Sequence, residues 1–268
     1  MSFVHLHTHS SYSLLDGLSN VRALAAHARD LDMPALALTD HGAMYGVIDF
    51  YRACREVEIN PIIGMEAYMA SRKMTDRVAQ HDAKSFHVLL LAENQTGYQN
   101  LLQIATTAQL HGFYHRPRID HDFLSGHADG LICTTGCLSG EIPRALQSGN
   151  TERAEQLMDF YMQVFGSERF FIELQDHDIP SLNAVNQVLL EFGPRYGLQF
   201  VATNDVHYVK QEDARLHDVL LCVQTNAILN DKKRMRMNGD SYYLRSTEEM
   251  QKLFGHVPGA MEIGRAHV

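Results

Sequence analysis

Nowhere in these 268 residues do two cysteines form a CxxC pair. Cys54, Cys133, Cys137 and Cys222 are scattered, and the spacing of Cys133 and Cys137 suits neither a zinc ribbon nor a thioredoxin motif. The charged start and the ~7–15-residue apolar core of a signal peptide are missing. No apolar stretch approaches the ~20 residues needed to span a bilayer. Short-period repeats and low-complexity tracts are absent as well. Positive charge is scarce: 23 Lys plus Arg stand against 32 Asp plus Glu, for a net charge of −9. That excludes a generally basic surface for wrapping nucleic acid, so bound cations and a few local basic residues would have to meet any polyanionic substrate. Together these absences point to a reduced, cytoplasmic setting and no membrane partner.

What is present is ordinary globular material, 45% hydrophobic and 21% charged, with one oddity in its 16 histidines. Strand-like and helix-like segments alternate from the start. Strands are expected over 3–7, 35–39, 61–68, 86–92, 130–134, 169–175 and 199–203. Helices are expected over 21–31, 47–57, 96–110, 151–165, 181–196 and 213–225, the first capped by Ser19-Asn20. This alternation predicts an α/β fold on a parallel sheet. The polar stretch 71–84 reads as a mobile loop. Beyond Tyr208 the pattern changes to a basic loop (Lys232-Lys233-Arg234-Met235-Arg236), a strand over 241–245 and a helix start at Ser246-Thr247-Glu248-Glu249. Residues 1–210 therefore read as one barrel domain and 211–261 as the start of a following module. Residues 262–268 (EIGRAHV) match a translated sequencing adapter and read as a non-native tail, with the natural chain continuing past Met261.

Nine side chains of metal-ligating type recur around the ends of these strands: His5, His7, Asp16, His41, Glu66, His87, Cys137, Asp205 and His207. In a strand, residues i and i+2 share a face, so His5 with His7, and Asp205 with His207, can each grip one ion. Five imidazoles, three carboxylates and a thiol exceed what one tetrahedral ion needs, which predicts two or three metals. Ligands supplied by many successive strand ends converge only if the strands close into a ring, as at the C-terminal mouth of a β/α barrel. His87 fits this scheme poorly, because it lies near the start of its apolar run. Taken singly, each residue also has an ordinary explanation. An HxH pair can be structural, Asp16 can serve a turn, Cys137 can be a small buried residue, and Glu66 can sit in a salt bridge.

Clustered cations activate water and clamp the oxygens of a phosphoester, so hydrolysis of such an ester is the expected chemistry. The catalytic candidates are Asp40, read as orienting a ligating imidazole, with Asp205 and His207. Arg116 and Arg118 are candidates for holding a phosphate or DNA. The other histidines are set aside as surface or core, with His9 and His177 nearest the line.

Several motifs carry a resemblance: FVHLHTHSSYSLLDG (3–17), ALTDHGAMYGVIDFY (37–51), PIIGMEAY (61–68), GYQNL (97–101), GFYHRPRID (112–120), GCLSGEIP (136–143), VATNDVHYV (201–209) and YYLRSTEEM (242–250). On these the chain resembles the polymerase and histidinol phosphatase (PHP) family, and more narrowly its branch in bacterial DNA polymerase III alpha subunits. The resemblance implies a distorted seven-stranded β/α barrel holding up to three zinc, manganese or magnesium ions on the nine residues named above. It implies metal-dependent 3′–5′ exonuclease proofreading on a primer 3′ end. The implied partners are the remainder of a polymerase chain and replisome subunits such as the sliding clamp and the proofreading subunit. The aspartates for nucleotide addition lie downstream in that family, so this stretch alone would not synthesise DNA. Two other readings stay open: a small-molecule phosphatase of the histidinol-phosphate kind, and a metal-stabilised scaffold without activity.

Overall fold

The computed structural model describes residues 2–14 and 16–262. Leu15 and residues 263–268, most of the tail read as foreign, lie outside the described residues. The strands are β1 (Ala35–Leu38), β2 (Asn60–Ala70), β3 (Ser85–Ala92), β4 (Arg118–Ile119), β5 (Leu131–Thr134), β6 (Phe170–Leu174) and β7 (Phe200–Ala202). Between and after them run α1 (Val21–Asp30), α2 (Val47–Glu56), α3 (Ala79–Asp82), α4 (Gln95–Leu110), α5 (His121–Ser125), α6 (Glu141–Gln147), α7 (Thr151–Phe165), α8 (Pro180–Tyr196), α9 (Ala214–Thr225) and α10 (Thr247–Phe254).

Local chemistry sets the helix ends. Asn20 caps α1 by accepting from Arg22 N, and Val21, Leu24, Ala25 and Ala28 form its buried stripe at helical spacing. Pro180 opens α8, and Gly197 closes it in the left-handed region at φ 64°. Ser246 and Glu249 make the capping box expected for α10. No helix among the described residues is long and apolar enough to cross a membrane.

The seven-stranded sheet runs in the order β1-β2-β3-β5-β6-β7, with β4 beside β2. It is not the all-parallel sheet that the alternation predicts, since β3 is antiparallel to both β2 and β5. A short β2–β3 connection, with only the four-residue α3 inside it, returns the chain directly instead of through a crossover helix. This resolves the awkward position of His87. In a reversed strand the beginning lies at the mouth, and His87 pairs with Tyr68 near the end of β2.

The sheet curls, and the N-terminal segment bridges its two edges. Ala37 N donates to His5 O (2.9 Å) on one side, while Val206 N donates to His7 O (3.1 Å) and His9 N to Val206 O (2.7 Å) on the other. No continuous ladder forms over the expected strand 3–7; Thr8 makes a single bridge to Val206. Inside the ring sits an apolar layer of Val4, Leu6, Ala35, Ala37, Ile62, Leu91, Ile132, Phe171 and Val201. Its larger side chains are each worth about 1.5–3 kcal/mol of burial, enough to favour closure over an open sheet. Helices pack the outer faces in two further clusters.

The stretch 71–84 is fastened rather than loose. Arg118, 1% exposed, donates to the carbonyls of Gly112, Asp82, Met74 and Asp76. Arg72 adds a paired contact to Asp82. Residues 241–261 likewise pack on the barrel. Met250, Phe254, Val257, Ala260 and Met261 join the main core, and Ala202 N donates to Ala260 O (2.8 Å). The strand expected over 241–245 is reduced to one bridge between Tyr208 and Tyr243.

Candidate metal centre

At the mouth formed by the ends of the parallel strands, a pocket of about 210 Å³ is lined by Asp16, His41, Glu66, His87, Cys137, Asp205 and His207. Glu66 is the hub. Its Oε2 lies 2.7 Å from His41 Nδ1 and 3.4 Å from His9 Nε2. Its Oε1 lies 2.9 Å from His87 Nδ1, 3.4 Å from His7 Nε2 and 3.5 Å from Cys137 Sγ. Asp205 is the second centre, with Oδ1 at 3.3 Å from His7 Nε2, 3.2 Å from His9 Nε2 and 3.6 Å from His207 Nδ1. Asp16 Oδ2 stands 2.8 Å from His41 Nε2 and 3.6 Å from His207 Nε2.

The chain is shaped locally to make this convergence. Asp205 adopts φ 45°, a left-handed conformation that Asp tolerates better than most residues. Its carbonyl accepts from His207 Nδ1 at 2.8 Å, which leaves the Nε2 lone pair facing the pocket. Gly17 sits so close to Ser10 that a Cβ there would meet the Ser10 carbonyl oxygen at 2.0 Å, so the turn delivering Asp16 needs glycine.

Eight of the nine candidate ligands come together. His5 does not. Its Nε2 donates to Arg245 O at 2.9 Å, and its ring packs edge-on to Phe3. In its place stands His9, which was set aside from the sequence. The cause is one extra residue in the N-terminal segment. β1 advances two residues from Ala37 to Thr39, while the segment accepting from them advances three, from His5 O to Thr8 O. Such a bulge reverses the face presented, so His5 and His7 diverge, while His7 and His9 both reach the mouth. Alternation alone could not reveal it.

Two further expectations change. Asp40 touches no imidazole. It accepts from Ser10 N (2.7 Å) and from the hydroxyls of Ser10 and Ser13, and Ser13 Oγ in turn lies 3.1 Å from His9 Nδ1. Asp40 is thus a brace acting through Ser13, not a group at the reaction centre. Arg118 is not available for phosphate, because backbone carbonyls take its guanidinium. Arg116 is exposed, with its guanidinium 5.6 Å from the Tyr68 ring centre at the rim of the site. Besides His9, one residue was missed: Glu173, a buried carboxylate in the apolar run FFIEL, accepts from His7 Nδ1 at 2.7 Å. Thr203 Oγ1 (2.6 Å), Gln175 Nε2 (2.9 Å) and Thr134 hold Glu173 in turn. A carboxylate behind a histidine fixes the ring's tautomer and sharpens its basicity as a ligand.

The electrostatics are those of a ligand nest. Burial works against ionised Glu66, yet His87, His41 and His7 hold it well below the usual carboxylate range. Asp205 is lowered in the same way against burial, by His7 and His207. Burial, then the nearby His41 and His207, push His9 down to about 3. Burial and the neighbouring carboxylates raise the Cys137 thiol well above its ordinary value. Among the described residues, His7 Nε2, His9 Nε2, His41 Nδ1, Glu66 Oε2 and Asp205 Oδ1 are buried without a hydrogen bond in acceptable geometry. Left so, each would cost about 1–3 kcal/mol. Donor atoms crowded on one another without hydrogen bonds fit shared divalent cations, and three groupings within this set are compact enough to hold one: His9 with His41 and His207, His7 with His9 and Glu66, and His41 with Glu66 and His87.

The PHP domain family matches residues 5–177. This chain is a PHP domain. It is 44% identical over 257 residues to DNA polymerase III subunit alpha of Thermus aquaticus, covering 94% of this chain and 21% of that protein. It is 43% identical over 260 residues to the same subunit of Treponema pallidum, covering 96% and 22%. An amidohydrolase from Chromobacterium violaceum overlaps 76% of this chain and 87% of its own, at 13% identity and a TM-score of 0.48. The chain therefore spans about a fifth of the length of the polymerase subunits it matches, and it is homologous to their N-terminal region.

Proposed function

We propose that this domain hydrolyses phosphodiester bonds at a DNA 3′ end, removing nucleotides in the 3′–5′ direction as part of a replicative polymerase in the cytoplasm. The observation that carries the reading is the set of orphaned donor atoms around Glu66 and Asp205. His7, His9, Asp16, His41, Glu66, His87, Cys137, Asp205 and His207 would hold two or three ions of zinc, manganese or magnesium type. Bound there, the ions would supply a water acidic enough to attack at neutral pH and positive charge for the phosphoryl oxygens. The chain's own side chains do the rest. Glu173 and Ser13 hold His7 and His9 in orientation, and Asp40 steadies Ser13. Leu138, Ile179, Met235 and Met237 form the apolar wall of the pocket and shed bulk water from it. Arg116 at the rim offers a forked cation to a phosphate. The rest of a polymerase chain, the sliding clamp and the proofreading subunit are the proposed partners, and residues 211–261 the side that faces that chain.

The test is metal content of the purified protein, followed by degradation of a labelled primer, beside a His7→Ala/His9→Ala double variant. Bound metal and shortening from the 3′ end, both lost in the variant, are expected. Metal without hydrolysis would leave a stabilising scaffold. Hydrolysis of histidinol phosphate in preference to the primer would return the phosphatase reading.

A further inference from the structure

Beside the ligand pocket lies a second depression of about 260 Å³, and the two share Asp16 and His41. Its walls carry Tyr12, Tyr45, Tyr68, Phe113 and Arg116. Tyr45 is 59% exposed and Phe113 51%, large apolar surfaces left in water directly next to a polar site. Gln109 donates to the Tyr45 hydroxyl at 3.1 Å and steadies that ring. Towards the ligands the aromatic surface is continuous: Arg116 lies over Tyr68, and Tyr68 stacks on His41 at 5.8 Å and 20°. None of Tyr12, Tyr45 or Phe113 serves the proposed ligand set.

Exposed aromatic faces beside a guanidinium, on a protein of net charge −9, suit one ligand chemistry well. Every nucleobase has a face that stacks on an aromatic ring whatever its sequence, and a single cation meets the backbone phosphate between two bases. A phosphomonoester of a small metabolite would fill the ligand pocket and leave this surface unused. We infer that the cleft of Tyr45, Phe113 and Arg116 is a stacking subsite for single-stranded polynucleotide, seating the bases that precede the phosphate held at the ligand pocket. The inference rests on the nuclease reading and sharpens it: the substrate is a strand end with several unpaired nucleotides, not a nucleotide or a duplex terminus.

The experiment is fluorescence anisotropy with a labelled octathymidylate, its linkages made phosphorothioate to slow cleavage, titrated with the 268-residue chain. Removing both rings in Tyr45→Ala/Phe113→Ala should weaken binding at least ~10-fold. Arg116→Ala should weaken it less and flatten its salt dependence. Both rings are half exposed, so thermal midpoint and metal content should stay at the wild-type values. Tyr51→Ala, at the far end of the barrel, should bind as wild type does. Equal affinity of wild type and the double variant overturns the subsite, as does a wild-type chain that binds dinucleotide and octanucleotide equally well. Cleavage of unmodified DNA is scored separately. A chain that binds through these rings but never cleaves would overturn the nuclease reading and leave the subsite standing.

Discussion

The two mouths of this barrel are built on opposite principles. At one, the larger opening of about 950 Å³ is floored by Ile62, Ile132 and Phe171 and rimmed by Ile48, Tyr51 and Tyr98. At the other, a pocket of about 210 Å³ is packed with imidazoles, carboxylates and a thiol. Size favours the first and chemistry the second. Among the described residues, the apolar floor leaves no buried polar side-chain atom without a partner, whereas the opposite mouth buries polar atoms that hydrogen bonding does not satisfy. Unmet polar groups, more than cavity volume, mark where a ligand belongs.

The comparison can be broken most forcefully at the polar mouth. His9→Ala should lose at least one bound ion and lower hydrolysis about 100-fold or more. His5→Ala, only four residues earlier, should keep its metal and activity and cost roughly 2 kcal/mol of stability through the lost packing and the orphaned Arg245 carbonyl. Metal analysis and chemical denaturation on the pair decide it; matching metal loss in both would restore His5 to the centre. Next comes the arginine pair. Arg118→Ala takes the guanidinium away from four carbonyls, of which only that of Gly112 keeps a second donor, and should lower stability by roughly 3 kcal/mol, whereas Arg116→Ala should leave the denaturation midpoint in place. If Arg116→Ala proves the destabilising member, the division between anchor and rim is wrong. The smallest effect belongs to the apolar mouth. Ile48→Ser there, at a site already 55% exposed, should move stability by no more than ~0.5 kcal/mol and leave hydrolysis unchanged. A large loss of activity would show that this opening serves the reaction after all.

Glu66 was legible because a lone carboxylate in an apolar run demands compensation. The same signal was present at Glu173, whose run FFIEL is as apolar as the one around Glu66, and it went unread. Asp205 and His207 were legible because they follow a buried strand two residues apart. His87 was recognisable as a ligand type but not placeable, since the direction of β3 is invisible in its own residues. Arg116 and Arg118 look alike in the run HRPR. Only the fold shows one in water and the other surrounded by backbone oxygens.

By itself the sequence determined the α/β alternation, the helix caps at Asn20 and Ser246, and a stock of ligating residues near the strand ends, because propensity, capping and periodicity act between near neighbours. Tertiary structure alone decided which way β3 runs, that His9 and not His5 reaches the mouth, and that Asp40 acts on an imidazole only through Ser13. Those outcomes depend on a reversed connection and a one-residue bulge, set by how distant strands pair, and no local pattern encodes them.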